Sequence, residues 1–192
     1  MKSGLLLVLS GPAGVGKDTV WKHAAPCLGT FAKATTCTTR AQRAGEKDGT
    51  DYFFKSNQEF DALVESDGLL EWAWVHGNRY GVPVSSVRDR LESGDDVVCI
   101  IEVQGALKIR ALFPDSLLVF LKPPPGRETE ILRARIENRG AEDDAQIARR
   151  LQTAQWELDQ TQFYDYEIIN DEVERAAQEL CEVISREKAR RA

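Results

Sequence analysis

The chain reads as an α/β protein built on a parallel sheet. Short apolar runs of strand length alternate with helical segments. The first run opens into a glycine-rich turn and then a helix. Two stretches, about 32–80 and 126–155, break the alternation and read as insertions. The expected division is a core of about 1–31, 81–125 and 156–192, carrying a small sub-domain at 32–80 and a helical segment at 126–155.

The elements follow in order. Leu5 to Ser10 is apolar and short, as a buried strand should be. Lys17 to Leu28 reads as a helix. The first insertion holds a turn-rich stretch, Arg43 to Thr50, a strand-like Tyr52-Phe53-Phe54, and the aromatic segment Leu69 to Val75. Val97 to Val103 and Leu117 to Leu121 are further strands, rich in Val, Ile and Leu, with a helix at Gln104 to Leu112 between them. Pro123-Pro124-Pro125 ends a strand. A charged helical stretch follows, with arginines at Arg127, Arg133, Arg135, Arg139, Arg149 and Arg150. Glu167 to Asn170 is a last strand, and a helix runs from about Val173 onward.

Composition narrows the function. The chain has 192 residues, of which 42% are hydrophobic, enough for a substantial core. No apolar run approaches the roughly 18 residues of a membrane span. Leu5 to Leu9 is too short for a signal-peptide core, so a cytoplasmic setting is expected. Acidic residues number 31 against 25 basic ones, a net charge of -6, which repels nucleic acid on average. The basic run Arg186 to Arg191 suits the C-terminal end of a helix. Cys27, Cys37, Cys99 and Cys181 are widely spaced and only His23 and His76 accompany them. Reduced, mostly buried thiols are expected, with neither a zinc site nor a disulfide framework.

The turn after the first strand is Gly11-Pro12-Ala13-Gly14-Val15-Gly16-Lys17, which matches the phosphate-loop pattern G-x-x-x-x-G-K in its proper strand–turn–helix setting. Glycines let the backbone aim its N–H groups at phosphate oxygens, and Lys17 is placed to neutralise the β- and γ-phosphates of ATP. The usual Ser or Thr at the next position is replaced by Asp18, with Thr19 after it. Asp18 is either a Mg²⁺ ligand, with the metal offsetting its charge, or a cap of the helix start.

A second pattern, Thr38-Thr39-Arg40-x-x-Arg43-x-x-Glu46-x-x-Gly49-x-x-Tyr52-x-Phe54-Lys55, resembles the guanylate kinase family. The resemblance spans essentially the whole chain. It takes in Leu70-Glu71-Trp72-Ala73, Gly77-Asn78-Arg79-Tyr80-Gly81, Val103-Gln104-Gly105, Arg139-Gly140 and Asn170-Asp171. It implies a P-loop kinase fold with a parallel sheet core and helices on both faces, a small mixed GMP-binding sub-domain and a helical lid. The implied activity is transfer of a phosphoryl group from ATP to GMP, with Mg²⁺ carried on ATP.

By the same resemblance Arg40, Arg43, Tyr52 and Tyr80 clamp the GMP phosphate, a chemistry that arginine's bidentate fork suits. Glu71 reads guanine: an ionised carboxylate accepts from both N1–H and the N2 amino group, whereas adenine offers an acceptor at N1. Thr36 and Glu102 fall on base-contacting positions. Arg135, Arg139 and Arg150 match lid arginines that stabilise the transferring group. Asn170 falls on an adenine-contacting position and reads equally as a turn residue. Val82 and Ile100 depart from the family pattern, which has a hydroxyl and a metal-linked aspartate there.

Two rivals share these motifs. Asp18 and Tyr80-Gly81-Val82 also resemble kinases that phosphorylate ribose 1,5-bisphosphate. Non-catalytic guanylate-kinase-like modules bind phosphopeptides, but tend to lose the phosphate loop or the lid.

Overall fold

The computed structural model describes residues 4–137 and 144–191. In chain order the strands are β1 (Leu6–Ser10), β2 (Phe31–Lys33), β3 (Cys37–Thr38), β4 (Phe53–Phe54), β5 (Leu69–Val75), β6 (Asn78–Pro83), β7 (Asp96–Ile100), β8 (Leu117–Lys122) and β9 (Tyr166–Ile169). The helices are α1 (Lys17–Leu28), α2 (Asn57–Glu65), α3 (Arg88–Glu92), α4 (Val103–Leu112), α5 (Glu128–Glu137), α6 (Asp144–Leu158) and α7 (Val173–Arg191). Five strands form one sheet in the order β2-β7-β1-β8-β9, and a second sheet has the order β4-β3-β6-β5. The expected α/β class with a parallel sheet is therefore present, since β2 pairs β7 and β8 pairs β9 in parallel. Among the described residues no helix is long and apolar enough to cross a membrane.

The chain divides into two compact units. The first comprises the segment up to Val8 and Phe31–Ser116. Its four-stranded sheet is mixed: β3 and β4 are parallel, while β6 runs antiparallel to both β3 and β5. The β5–β6 hairpin turns on His76 and Gly77, both at positive φ (49° and 78°), the conformation of a two-residue turn that follows the natural twist of paired strands. Helix α2 starts in a capping box. The Ser56 hydroxyl accepts from Glu59 N–H, and the Glu59 carboxylate accepts from Ser56 N–H.

Phe60 of α2 is fully buried, edge-on to Trp72 at 6.1 Å. The guanidinium of Arg79 lies over the Phe60 ring at 4.6 Å and is held by Asp61 and Asn57. That ring of contacts binds α2 to the hairpin. Helix α4 packs on β5.

The second unit comprises Leu9–Thr30 and the chain from Leu117 onward. Leu117 to Leu121 of β8 are essentially inaccessible, as the unbroken apolar run anticipates. Phe120 meets Tyr164 edge-on at 4.9 Å, and the Tyr164 hydroxyl donates to Ser10 Oγ at 3.1 Å. Helices α1 and α7 pack together, and Val20 and Ala24 on one and Ala177, Leu180 and Ile184 on the other are all buried. Here the expectation of reduced thiols fails: Cys27 of α1 and Cys181 of α7 are joined as a disulfide, their Cα atoms 6.4 Å apart. Helix packing brings together two residues 154 positions apart, a proximity no local spacing reveals. Cys37 and Cys99 are free and buried, and burial pushes both thiols up, Cys37 to about 11.

Candidate active site

The phosphate loop lies in the second unit. Gly11 has φ 144°, and a Cβ there would stand 2.1 Å from the Leu121 carbonyl oxygen, so β8 passes where only glycine fits. Gly16 is the N-cap of α1 in a left-handed conformation, φ 101°. Val15 N–H donates to the Pro12 carbonyl at 3.1 Å, closing the turn. Lys17 is buried, and its Nζ donates to the Gly11 carbonyl at 2.7 Å and the Pro12 carbonyl at 3.3 Å. The lysine is thus curled over the loop, its charge aimed where the loop's backbone turns.

Because the cap is Gly16, Asp18 stands inside the first turn of α1 and does not cap it. Asp18 and Thr19 are both exposed. Asn170, at the end of β9, is buried, and its Nδ2 donates to the Val15 carbonyl at 2.7 Å. It ties the loop to the strand framework, while its Oδ1 is buried without a hydrogen-bond partner.

The second candidate site lies in the first unit. A cavity of about 390 Å³, counting its open mouth, is lined by Thr36, Tyr52, Glu71, Tyr80, Glu102 and Gly105, with Ala73, Val75, Ile100 and Ile101 as its apolar wall. Five of the seven residues expected to hold GMP therefore meet in one pocket. Each comes from a different element or loop: Thr36 precedes β3, Tyr52 precedes β4, Glu71 is on β5, Tyr80 is on β6, and Glu102 is the N-cap of α4.

The sixth, Arg40, reaches Tyr52, its guanidinium 5.4 Å from that ring and 5.7 Å from Phe54. Tyr52 meets Tyr80 edge-on at 6.1 Å. Arg40 and its two tyrosines thus form one donor cluster. The seventh, Arg43, is exposed and does not line the cavity.

Glu46 links Arg40 and Arg43. Its carboxylate accepts from Arg40 Nη2 at 2.8 Å and 3.0 Å and from Arg43 N–H at 2.8 Å. Burial would push this carboxyl up, but those donors outweigh it and hold it below the usual carboxylate range. The spacing Arg40-x-x-Arg43-x-x-Glu46 carries the signal for this brace, although the role itself needs the folded turn.

Glu71 differs from Glu46 in every respect. It is 7% exposed, and its Oε2 is buried without a hydrogen-bond partner. Burial pushes its carboxyl up to about 7, opposed only by the positive charge of Lys108. An unpaired carboxylate oxygen in a closed wall costs free energy, which a ligand offering N–H donors would recover. Val82 is fully buried and stands directly opposite Glu71 across the β5–β6 ladder. Valine there offers no hydroxyl.

Of the arginines expected in the lid, Arg139 lies outside the described residues, and so do the side chains of Arg135 and Arg150, whose positions fall in α5 and α6. Among the described residues no group of three or more His, Cys, Asp or Glu side chains gathers as a metal site.

A family model described as guanylate kinase matches residues 3–187. The chain is 45% identical over 190 residues to the guanylate kinase of Halalkalibacterium halodurans, covering 99% of this chain and 92% of that one. It is 43% identical over 189 residues to the guanylate kinase of Caldanaerobacter subterraneus subsp. tengcongensis, covering 98% and 90%. The crystal structure of guanylate kinase from Anaplasma phagocytophilum superposes with a TM-score of 0.77 at 31% identity, covering 97% of this chain and 87% of that one. With the phosphate loop, the arginine–tyrosine cluster and the buried glutamate all in place, the chain belongs to the guanylate kinase family.

Proposed function

We infer that the protein catalyses ATP + GMP → ADP + GDP. The observation that carries this reading is the buried, unpartnered Oε2 of Glu71 in a pocket whose other residues include neutral donors. Guanine presents N1–H and the N2 amino group to a carboxylate. Adenine would bring a lone pair against it and is rejected. Arg40, Tyr52 and Tyr80 take the GMP phosphate, with Arg43 helping from the rim. Thr36 and Glu102 complete the contacts to the base.

An oxygen of the GMP phosphate attacks the γ-phosphorus of ATP. The new O–P bond forms as the bond to the β–γ bridging oxygen breaks, and ADP leaves. No general base is needed, because the attacking phosphate is already ionised. The loop backbone of residues 11–16 and the N-terminus of α1 hold the ATP phosphates. Lys17 exchanges its carbonyl partners for phosphate oxygens.

When bound with ATP, Mg²⁺ would screen the phosphate charge. The exposed oxygens of Asp18 and Thr19 in the first turn of α1 are the donors that fit it. Segment 126–155 acts as a lid bringing Arg135, Arg139 and Arg150 to the transferring group, and Asn170 borders the adenine of ATP. The working division is the core, GMP sub-domain and lid set out from the sequence, and the setting is the cytoplasm.

The test is ADP release from ATP and Mg²⁺ with GMP, dGMP, AMP, UMP and ribose 1,5-bisphosphate offered separately. Selective turnover with guanine nucleotides is expected. Turnover with the ribose bisphosphate alone, or with none of the acceptors, overturns the reading.

A further inference from the structure

Helix α4 packs on β5 beside Glu71, and two of its residues bear on that carboxylate in different ways. A Cβ at Gly105 would stand 2.9 Å from Cδ, Oε1 and Oε2 of Glu71 alike. The carboxylate therefore occupies the space a side chain would fill. One turn along α4, Lys108 donates from Nζ to the Trp72 carbonyl, beside Glu71 on β5, and its ammonium lies 5.8 Å from the Trp72 ring centre. Lys108 supplies the positive charge that opposes the burial of Glu71. The other titratable groups around this wall are Glu102 at the N-cap of α4, Tyr80 on β6, Tyr52 ahead of β4, Cys37 on β3 and Cys99 on β7. None of them is a cation.

We propose that Gly105 and Lys108 are positioning residues for base selection: Gly105 sets where the Glu71 carboxylate stands, and Lys108 sets its charge. This rests on the reading of Glu71 as the acceptor for guanine. Only the ionised carboxylate accepts from both N–H donors. The KM for GMP should therefore fall as pH rises through the titration of the empty site, near 7.

Gly105→Ala tests the first role. The atoms displaced are the end of a flexible side chain, and alanine favours a helix interior, so thermal stability should hold or rise. The KM for GMP should nevertheless rise about tenfold or more, with kcat falling less. Lys108→Met tests the second role. It should move the pH inflection of the KM for GMP upward. A rise of one pH unit makes the KM at pH 7 about fivefold higher, and Lys108→Arg should restore it. A ¹³C-carboxyl NMR titration of Glu71 in the substrate-free variants reads the same change without catalysis.

Unchanged titrations, together with an unchanged KM in Gly105→Ala, refute the proposal; if Glu71→Gln still raises the KM for GMP, the base-reading role survives that failure. Should the titrations move while the KM for GMP stays put, Glu71 does not read the base, and the proposal falls with that reading.

Discussion

Replacing Glu71 by Gln separates what the site demands from what the fold prefers. In the folded protein this carboxyl keeps its proton up to about pH 7, against an ordinary 4.5. Between those values the folded chain binds more protons than the unfolded chain, so stability falls as pH rises across that window. The difference corresponds to about 3 kcal/mol, absent below pH 4.5 and fully present above pH 7. Glutamine has the same shape and no charge. Glu71→Gln should therefore unfold at the wild-type temperature near pH 4.5 and at a higher one at pH 8.

For a chain of this size the gap at pH 8 should be about 6–12 °C. Glutamine's amide also needs a partner, which adds an offset, so the pH dependence of the gap is the quantity to read. Thermal unfolding of both proteins without ligand, from pH 4.5 to pH 8.5, measures it. Parallel curves would refute the argument that burial raises the Glu71 carboxyl. The same variant should lose preference for GMP over AMP by a factor of about 100 or more, measured as the ratio of kcat/KM values.

Lys17→Met should lower kcat by about a thousandfold or more in an ADP-release assay, while the KM for GMP changes little, since only the phosphate loop is altered. Glu46→Gln removes the charged brace on Arg40 and should raise the KM for GMP about three- to tenfold, leaving the thermal midpoint nearly unchanged. Cys27→Ser, or a reducing agent, opens a link across 154 residues, worth up to about 5 kcal/mol in chain entropy. Chemical denaturation with and without reductant should show the midpoint drop in the wild type and no further drop in the variant.

The parts legible in the sequence were those whose cause is local. The strand ahead of Gly11 and the helix from Lys17 to Leu28 emerge as read, because apolar runs and glycine turns are short-range signals. Val97–Val103 reads as one strand because only Glu102 interrupts its apolar run, yet the strand ends at Ile100 and α4 begins at Val103. Side-chain pattern cannot mark where one buried element hands over to another. Helix α2 carried an unread signal, the capping box Ser56-x-x-Glu59.

The pocket was legible as a set of residue types, through Arg40, Tyr52, Glu71 and Tyr80. What was illegible is who braces whom. Gly105 against Glu71 and Asn170 on the Val15 carbonyl depend on elements meeting in space, and Glu46 under Arg40 on how the turn between them folds.

The Cys27–Cys181 bond also changes the topology of the molecule. It turns most of the chain into a covalent ring, with only the segments before Cys27 and after Cys181 hanging outside it. A protease that cuts once inside the ring releases no fragment. The cut protein keeps its mass, gained water aside, and separates into two pieces only under reducing conditions. A single cut inside the ring of the oxidised protein is therefore invisible as loss of size on a non-reducing gel and shows only on the reducing one.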